Sequence, residues 1–273
     1  MSYSLFTSKY FAPLTRLLLL LVVLAALAYQ QRSDGRLHVF LPALKGDAII
    51  LQLPNGEFVL IDGGADPATL SAALGRRMPY WKRQLAMVIL TSKDSRHLPG
   101  QVAALAHYRV GRVLATPDAM QGSGAMLREW RRLLDLQSVS VEQLRDGQSL
   151  LLAAGVRLRV LALGEGCVLL IEYGKTAAVL AHTATPDMYA LKPPSRAQLV
   201  IFPWEYDPHT PLLEALQAQA VIYSDGVQAD EPVRLSMHDR RIGKATQYHE
   251  VLHGNIEWIS DGRQVLVRTE RGK

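Results

Sequence analysis

Residues 46–64 read Gly46-Asp47-Ala48-Ile49-Ile50-Leu51-Gln52-Leu53-Pro54-Asn55-Gly56-Glu57-Phe58-Val59-Leu60-Ile61-Asp62-Gly63-Gly64. Two apolar runs, Ala48–Leu53 and Phe58–Ile61, flank a Pro-Asn-Gly sequence, and Asn-Gly readily adopts the positive φ angles of a tight turn. The stretch therefore predicts a β-hairpin whose second strand ends in an Asp-Gly-Gly turn.

Short apolar runs separated by turn signals continue on both sides of this hairpin. They predict strands at Leu37–Leu41, Met87–Leu90, Arg112–Ala115, Leu150–Leu152, Val156–Leu161, Val168–Tyr173, Ala177–Leu180, Leu199–Phe202, Ala220–Ser224, Ile256–Ile259 and Val265–Arg268. Segments of helical character lie between them, at Ala68–Arg77, Leu98–Tyr108, Ser123–Leu136 and Leu212–Gln219. Strands with helices inserted between them indicate an α/β (α+β) layered fold. No change in composition divides residues 37–273, which we interpret as one domain.

A polar loop after the strand Met87–Leu90 carries a second distinctive motif, Thr91-Ser92-Lys93-Asp94-Ser95-Arg96-His97-Leu98-Pro99-Gly100. Together with the hairpin and its Asp-Gly-Gly turn, this loop resembles the metallo-β-lactamase domain of the competence protein ComEC. The resemblance covers most of residues 37–270. It implies a four-layer αββα sandwich with metal ions at one edge of the strands.

The corresponding loop of that family reads Thr-His-x-Asp-x-Asp-His, and its side chains converge on two metal ions about 3.5–4 Å apart. Here Ser92 stands at the position of the first histidine and Arg96 at that of the second aspartate, so that Asp94 and His97 remain. A guanidinium has no lone pair to donate to a cation and carries a fixed positive charge. We therefore expect weak metal binding or none, and we hypothesise that Arg96 pairs with Asp94 or Asp62.

Two later ligand positions of the family also differ in this sequence. The resemblance places Thr183 at the position of the aspartate that bridges the metals, and Trp204 where the family has a pair of histidines. A shift of one residue in this part of the alignment would bring in His182 or Glu205 instead. The resulting vestigial site consists of Asp62, Ser92, Asp94, Arg96, His97, Thr183 and Trp204.

These replacements favour a non-catalytic binding or structural module without a cofactor. The alternative is a metal-dependent hydrolase, a nuclease or phosphodiesterase, with a rearranged site for one zinc or other divalent ion. Its candidate ligands are Asp94, His97 and His182, with His209 as a further donor. Catalytic zinc usually has three protein ligands, so two certain ones make a poor site.

The charge of the chain leaves a third function open. The formal net charge is +5, a mild excess compared with the dense basic stripe of a dedicated nucleic-acid-binding protein. The best candidates for phosphate contact are Arg234, Arg240, Arg241 and Lys244. A DNA-binding relic of a competence nuclease therefore remains an alternative. The single cysteine, Cys167, excludes an internal disulfide and a cysteine zinc site, and its apolar neighbours indicate a buried side chain.

The N-terminal segment is predicted to contact a membrane through Leu14–Tyr29, whose central part, Leu17–Ala28, is wholly apolar. A bilayer core needs about 20 apolar helical residues, and this run is slightly shorter. We interpret residues 1–29 as one N-terminal transmembrane helix and residues 30–36 as a linker. The domain that follows is expected on the exterior side of the membrane, and a protein partner is left open. Because Ala26-Leu27-Ala28 resembles a signal-peptidase site, secretion after cleavage is the alternative.

Overall fold

The hairpin predicted at residues 46–64 is present as strands β2 (Ala48–Gln52) and β3 (Phe58–Asp62), paired antiparallel with Ile50 opposite Leu60. Its turn is closed by a hydrogen bond of 2.7 Å from the amide of Gly56 to the carbonyl of Leu53. Gly56 has a φ of +82°, a conformation in which a side chain would be strained.

The computed structural model describes residues 15–22, 33–191, 196–203, 210–224 and 245–271. The chain divides into two compact units, Met1–Asp34 and Gly35–Lys273. In the first unit, residues 15–22 are helical and the side chains from Leu17 to Val22 are exposed. Of the helices in the described ranges, none has the length and apolar character needed to span a bilayer. The other residues of the predicted anchor lie outside these ranges, so the anchor stays a prediction.

The second unit contains two large β-sheets and a set of short helices. The remaining strands are β1 (Leu37–Leu41), β4 (Gln84–Leu85), β5 (Met87–Leu90), β6 (Arg109–Val110), β7 (Val113–Ala115), β8 (Val141–Gln143), β9 (Ser149–Leu151), β10 (Arg157–Leu163), β11 (Cys167–Tyr173), β12 (Thr176–Leu180), β13 (Leu199–Pro203), β14 (Ala220–Ser224), β15 (Thr246–His249), β16 (Ile256–Ser260) and β17 (Val265–Thr269). The α-helices are α1 (Pro67–Arg77), α2 (Pro99–His107), α3 (Pro117–Gln121), α4 (Ala125–Leu136), α5 (Pro211–Leu216) and α6 (Glu250–His253), and 3₁₀ turns occur at Ala153–Gly155 and Pro186–Ala190.

The two large sheets share one plan, in which an antiparallel half continues into a parallel half. The first has eight strands in the order β17-β16-β1-β2-β3-β5-β7-β8, and its pairing becomes parallel from β3 onward. The second has seven strands in the order β15-β14-β13-β12-β11-β10-β9, with parallel pairing from β12 to β15. Strands β4 and β6 form a separate two-stranded sheet.

Alternate side chains of each strand belong to different hydrophobic clusters, which shows that both faces of each sheet are covered. Leu37 and Val39 belong to the cluster between the sheets, whereas Phe40 packs with helices on the outer side of the first sheet. Leu169 likewise lies between the sheets and Leu170 lies in the outer cluster of the second. Strands buried on both faces have continuous apolar runs, as the sequence does here. The layers are helix, sheet, sheet and helix, and the predicted αββα sandwich is confirmed.

Several helices begin at a capping residue followed by proline. Asp66 accepts hydrogen bonds from the amides of Ala68 and Thr69 at the start of α1, and Thr116 and Thr210 cap α3 and α5 in the same way. A capping oxygen satisfies an amide that has no partner within the helix, and proline at the first position has no amide to satisfy.

The predicted elements differ from the structure mainly where the chain is polar. The expected helix Ser123–Leu136 begins at Ala125 and is preceded by the separate helix α3. Strands β8 and β15 and the short helix α6 were not predicted, since their sequences, VEQ, TQYH and EVLH, lack an apolar run of strand or helix periodicity. Cys167 is fully buried in β11, as expected.

Candidate functional site

Asp62 ends strand β3 and lies fully buried at the edge where the two sheets meet. Its backbone has a φ of +55°, in the left-handed region that few residues other than glycine adopt. One carboxylate oxygen accepts a hydrogen bond of 2.7 Å from the amide of Thr91, and the other accepts one from the hydroxyl of Thr91. Asp62 therefore ties the end of β3 to the loop that follows β5.

The glycines after Asp62 allow two backbone segments to come into contact. A Cβ atom on Gly63 would lie 2.0 Å from the amide nitrogen of Gln101, and one on Gly100 would lie 1.8 Å from the carbonyl oxygen of Gly63. Neither distance is possible for real atoms, so both positions require glycine. This contact holds the Asp-Gly-Gly turn against the first turn of α2, directly beside His97.

His182 follows strand β12 and brings the second sheet to this site. Its Nε2 atom lies 2.7 Å from Oδ2 of Asp62, and both side chains are buried. Leu180 packs between the sheets and Ala181 packs in the outer cluster, so the alternation points His182 inward and Thr183 outward. The hydroxyl of Thr183 accepts a hydrogen bond of 3.2 Å from the amide of Cys167. The structure thus turns His182, and not Thr183, toward Asp62.

A second buried pair lies beside the first. Nε2 of His97 is 3.1 Å from Oδ2 of Asp47, and the ring centroids of His97 and His182 are 6.3 Å apart. The turn before β2 positions Asp47, because its amide donates to the carbonyl of Arg96 over 3.0 Å and its carbonyl accepts from Gly64 over 2.7 Å. Asp47 was not among the predicted site residues. Its place directly before the buried strand β2 was the available signal.

Both pKa shifts in this second pair favour its charged form. Burial raises the pKa of Asp47, but the hydrogen bond from His97 and the charges of His97 and His182 lower it below its ordinary value. Burial lowers the pKa of His97, but the hydrogen bond to Asp47 and the charge of Asp62 raise it above 6.5. Both directions therefore favour a carboxylate and an imidazolium in mutual contact.

The other predicted residues of the loop lie around these pairs. Ser92 is buried, and its hydroxyl accepts a hydrogen bond of 3.3 Å from the amide of Asp94. The side chain of Asp94 is exposed, while its carbonyl accepts from the amides of His97 and Leu98 over 3.0 and 3.1 Å. Arg96 is partly buried. In the part of the chain that the structure describes, Asp62 forms an ion pair with His182. The pairing of Arg96 with Asp94 or Asp62 stays a prediction.

Some predicted residues fall outside the described ranges. These are Trp204, Glu205 and His209, together with the candidate phosphate contacts Arg234, Arg240, Arg241 and Lys244. Their roles stay predictions.

The described side chains of the site are arranged as two pairs, each of a histidine and a carboxylate. Each of the two Nε2 atoms faces a carboxylate, at 3.1 Å in one pair and 2.7 Å in the other. Within the described ranges, no three His, Cys, Asp or Glu side chains converge as the ligands of one ion would. The candidate set of Asp94, His97 and His182 is not brought together as a unit, because the structure pairs the two histidines with Asp47 and Asp62.

No family model matches the sequence, and no curated protein matches it either. Solved structures do match. The metallo-β-lactamase fold protein YhfI from Bacillus subtilis is similar with a TM-score of 0.55 and 14% identity, covering 82% of this chain and 100% of that chain. A diphosphatase from the PhnP family is similar with a TM-score of 0.50 and 12% identity, covering 82% of this chain and 98% of that chain. The chain therefore has the metallo-β-lactamase fold.

Proposed function

We propose that this protein is a non-catalytic metallo-β-lactamase-fold module of the ComEC type, which binds or positions a protein partner at a membrane. The observation that supports it is the pairing of both site histidines with carboxylates, His97 with Asp47 and His182 with Asp62. The resemblance implies metal ions near Asp62 and His97, and each of these residues has a partner of opposite charge here.

The charge state of the site supports the proposal further. A histidine binds a metal only through a neutral ring nitrogen that has a free lone pair. The environment of His97 raises its pKa, which favours the imidazolium form that has no such lone pair. Arg96 adds a fixed positive charge that acts on His97 and repels a cation from the same region.

Metal content and hydrolysis of the purified full chain test this proposal. After incubation with zinc or manganese and desalting, we expect far less than one ion per chain by mass spectrometry, and no metal-dependent cleavage of bis(p-nitrophenyl) phosphate. His97→Gln and the matched variant of an exposed histidine, His107→Gln, should behave alike. Stoichiometric metal and cleavage that are lost in His97→Gln but kept in His107→Gln would contradict the proposal.

A metal-dependent hydrolase with a rearranged site is the second candidate, and one observation favours it. Oδ1 of Asp47 and Nδ1 of both His97 and His182 are buried without a hydrogen-bond partner among the described atoms. Buried polar atoms are nearly always satisfied, so such atoms often mark a missing water or ion. The same metal measurement separates this candidate from the first.

The membrane anchor is part of the proposal and has its own test. If Leu14–Tyr29 is a retained anchor, the full chain should stay in the membrane pellet after carbonate extraction. A chain that is cleaved after Ala28 should instead appear in the soluble exterior fraction with a new N-terminus. The DNA-binding alternative predicts binding of an oligonucleotide that weakens steeply with added salt.

A further inference from the structure

The segment between α1 and β4 forms a tight turn with two aromatic side chains at its tip. The amide of Lys82 donates to the carbonyl of Pro79 over 2.8 Å, which makes Tyr80 and Trp81 the two central residues of a β-turn. Tyr80 is 77% exposed and Trp81 is 52% exposed, whereas Trp130 and Trp258 are each 1% exposed in the core. Two large aromatic side chains together in water are unfavourable, and such groups mark interaction sites.

The base of this turn is held firmly to the domain. The ammonium of Lys82 donates to the carbonyl of Gly56 and lies 5.6 Å from the centre of the Phe58 ring. The guanidinium of Arg83 lies 5.7 Å from the centre of the Tyr108 ring. The base of the turn therefore contacts β3 and the residue that follows α2.

Basic side chains flank the turn. Between Pro67 and Pro117 the sequence has eight Lys and Arg residues and one acidic residue, Asp94. Three of the eight cations form ion pairs with carboxylates from elsewhere in the chain, namely Arg77 with Glu257, Lys93 with Asp118 and Arg112 with Glu142. Arg76 and Arg83 flank the turn in sequence and are exposed, and so is Arg109, whose amide bonds to the carbonyl of Arg83. The surface formed by Tyr80, Trp81, Arg76, Arg83 and Arg109 is called the aromatic-basic surface below.

We infer that the aromatic-basic surface docks on an anionic lipid bilayer, with Tyr80 and Trp81 inserted among the headgroups. Tyrosine and tryptophan favour the membrane–water interface, where the ring leaves water and its polar atom stays hydrated. Exposed Arg and Lys residues are attracted to anionic lipids. The apolar run Leu17–Ala28 of the same chain supports a location next to a bilayer.

The arrangement of the two rings favours lipid over nucleic acid. Tyr80 and Trp81 pack edge to face, with centroids 4.7 Å apart and planes at 83°. One face of one ring is thus covered by the edge of the other, which leaves fewer open faces for stacking on bases. Insertion into the membrane–water interface requires only that apolar parts of the rings be exposed.

Quenching of Trp81 fluorescence tests the inference on the full chain. The protein is mixed with vesicles whose acyl chains carry bromine, made of phosphatidylcholine alone or with phosphatidylglycerol. The emission spectrum of Trp81→Phe is subtracted from that of the wild type. The emission of the other three tryptophans cancels, and the difference is the emission of Trp81. We expect a blue shift and quenching of this emission in anionic vesicles, with much less of both in neutral ones.

Charge variants decide whether the contact is the proposed one. Arg76→Gln with Arg83→Gln should weaken the quenching interaction by about tenfold or more, since two charges are removed. The matched variant Arg145→Gln with Arg263→Gln removes the same charge from exposed positions elsewhere and should leave quenching unchanged.

Three results would overturn the inference. The first is equal quenching of Trp81 in neutral and anionic vesicles. The second is quenching that stays the same in the variant at Arg76 and Arg83. The third is a larger change of Trp81 emission with a single-stranded oligonucleotide than with anionic vesicles. The assay measures neither metal nor hydrolysis, so its failure would leave the proposed function standing.

Discussion

Nε2 of His97 lies 3.1 Å from Oδ2 of Asp47, and the two side chains are 4% and 5% exposed. This contact joins the loop after β5 to the turn before β2, which are separated by 50 residues in the chain. Burying two charges is costly, and their mutual attraction offsets that cost only while both partners are present. A single substitution in this pair should therefore disturb the whole site.

Removing one partner of this pair should destabilise the domain strongly. Asp47→Ala leaves His97 buried without the carboxylate that stabilises its charged form, and we expect the free energy of unfolding to fall by about 3–5 kcal/mol. The double variant Asp47→Leu with His97→Leu removes both charges and should recover most of the loss. Urea unfolding followed by circular dichroism measures this. Equal stability of Asp47→Ala and the double variant would contradict the role of the pair.

The same pair predicts a loss of stability at alkaline pH. The pKa of His97 is raised on folding, so its contribution is fully present below about 6.5 and is lost as pH rises through the higher folded value. The pKa of Asp47 is lowered, so its contribution is lost only as pH falls below 3.8 through the folded value. Unfolding free energies between pH 5 and about 9 should decline in the wild type. The double variant should show a flatter curve, and parallel curves for the two proteins would count against the ion pair.

The contact of Gly63 with α2 predicts a severe effect of a single methyl group. Gly63→Ala places a Cβ atom 2.0 Å from a backbone nitrogen, which cannot move without shifting α2. We expect a loss of at least about 3 kcal/mol, at the upper end of overpacking effects. Gly75→Ala is the matched control, because a Cβ atom there meets nothing within 4 Å. That change lies inside a helix and should stabilise the protein by up to about 1 kcal/mol.

Glu257 predicts a separate dependence at acidic pH. Burial raises its pKa, but hydrogen bonds from His38 and Arg77, at 2.8 and 2.7 Å, lower it to about 2. Its contribution is thus present above pH 4.5 and is lost as the pH falls to about 2. Because the side chain is partly exposed, this amounts to at most about 3 kcal/mol. Glu257→Gln should flatten acid unfolding curves, whereas Glu165→Gln, which removes an exposed carboxylate, should not.

The fold could be predicted because the sequence patterns that define its strands and turns involve residues close together in the chain. The Asn-Gly turn and the flanking apolar runs define β2 and β3, and the strands buried on both faces have continuous apolar sequences. Edge strands such as Val141–Gln143, which is largely exposed, need no such run and were missed.

The site was predicted less completely because its contacts join distant parts of the chain. Asp62 and His97 were singled out from their motifs, but the partners of both residues come from elsewhere in the sequence. His182 lies 120 residues from Asp62, and only the alternation of β12 decides that it faces inward in place of Thr183. The predicted pairing of Arg96 stays a prediction, whereas both site histidines contact carboxylates.

Strand β1 pairs with β16 along its full length, with Leu37 opposite Ser260 and Leu41 opposite Ile256. The first strand of the domain therefore gains its neighbour on this edge from a segment about 215 residues later in the chain, counted from Leu41 to Ile256. Contacts between residues far apart in the sequence slow folding. Before this contact forms, the backbone groups on that edge of β1 and part of the apolar surface between the sheets are exposed. We expect the folding of the domain to be slow and to benefit from a chaperone.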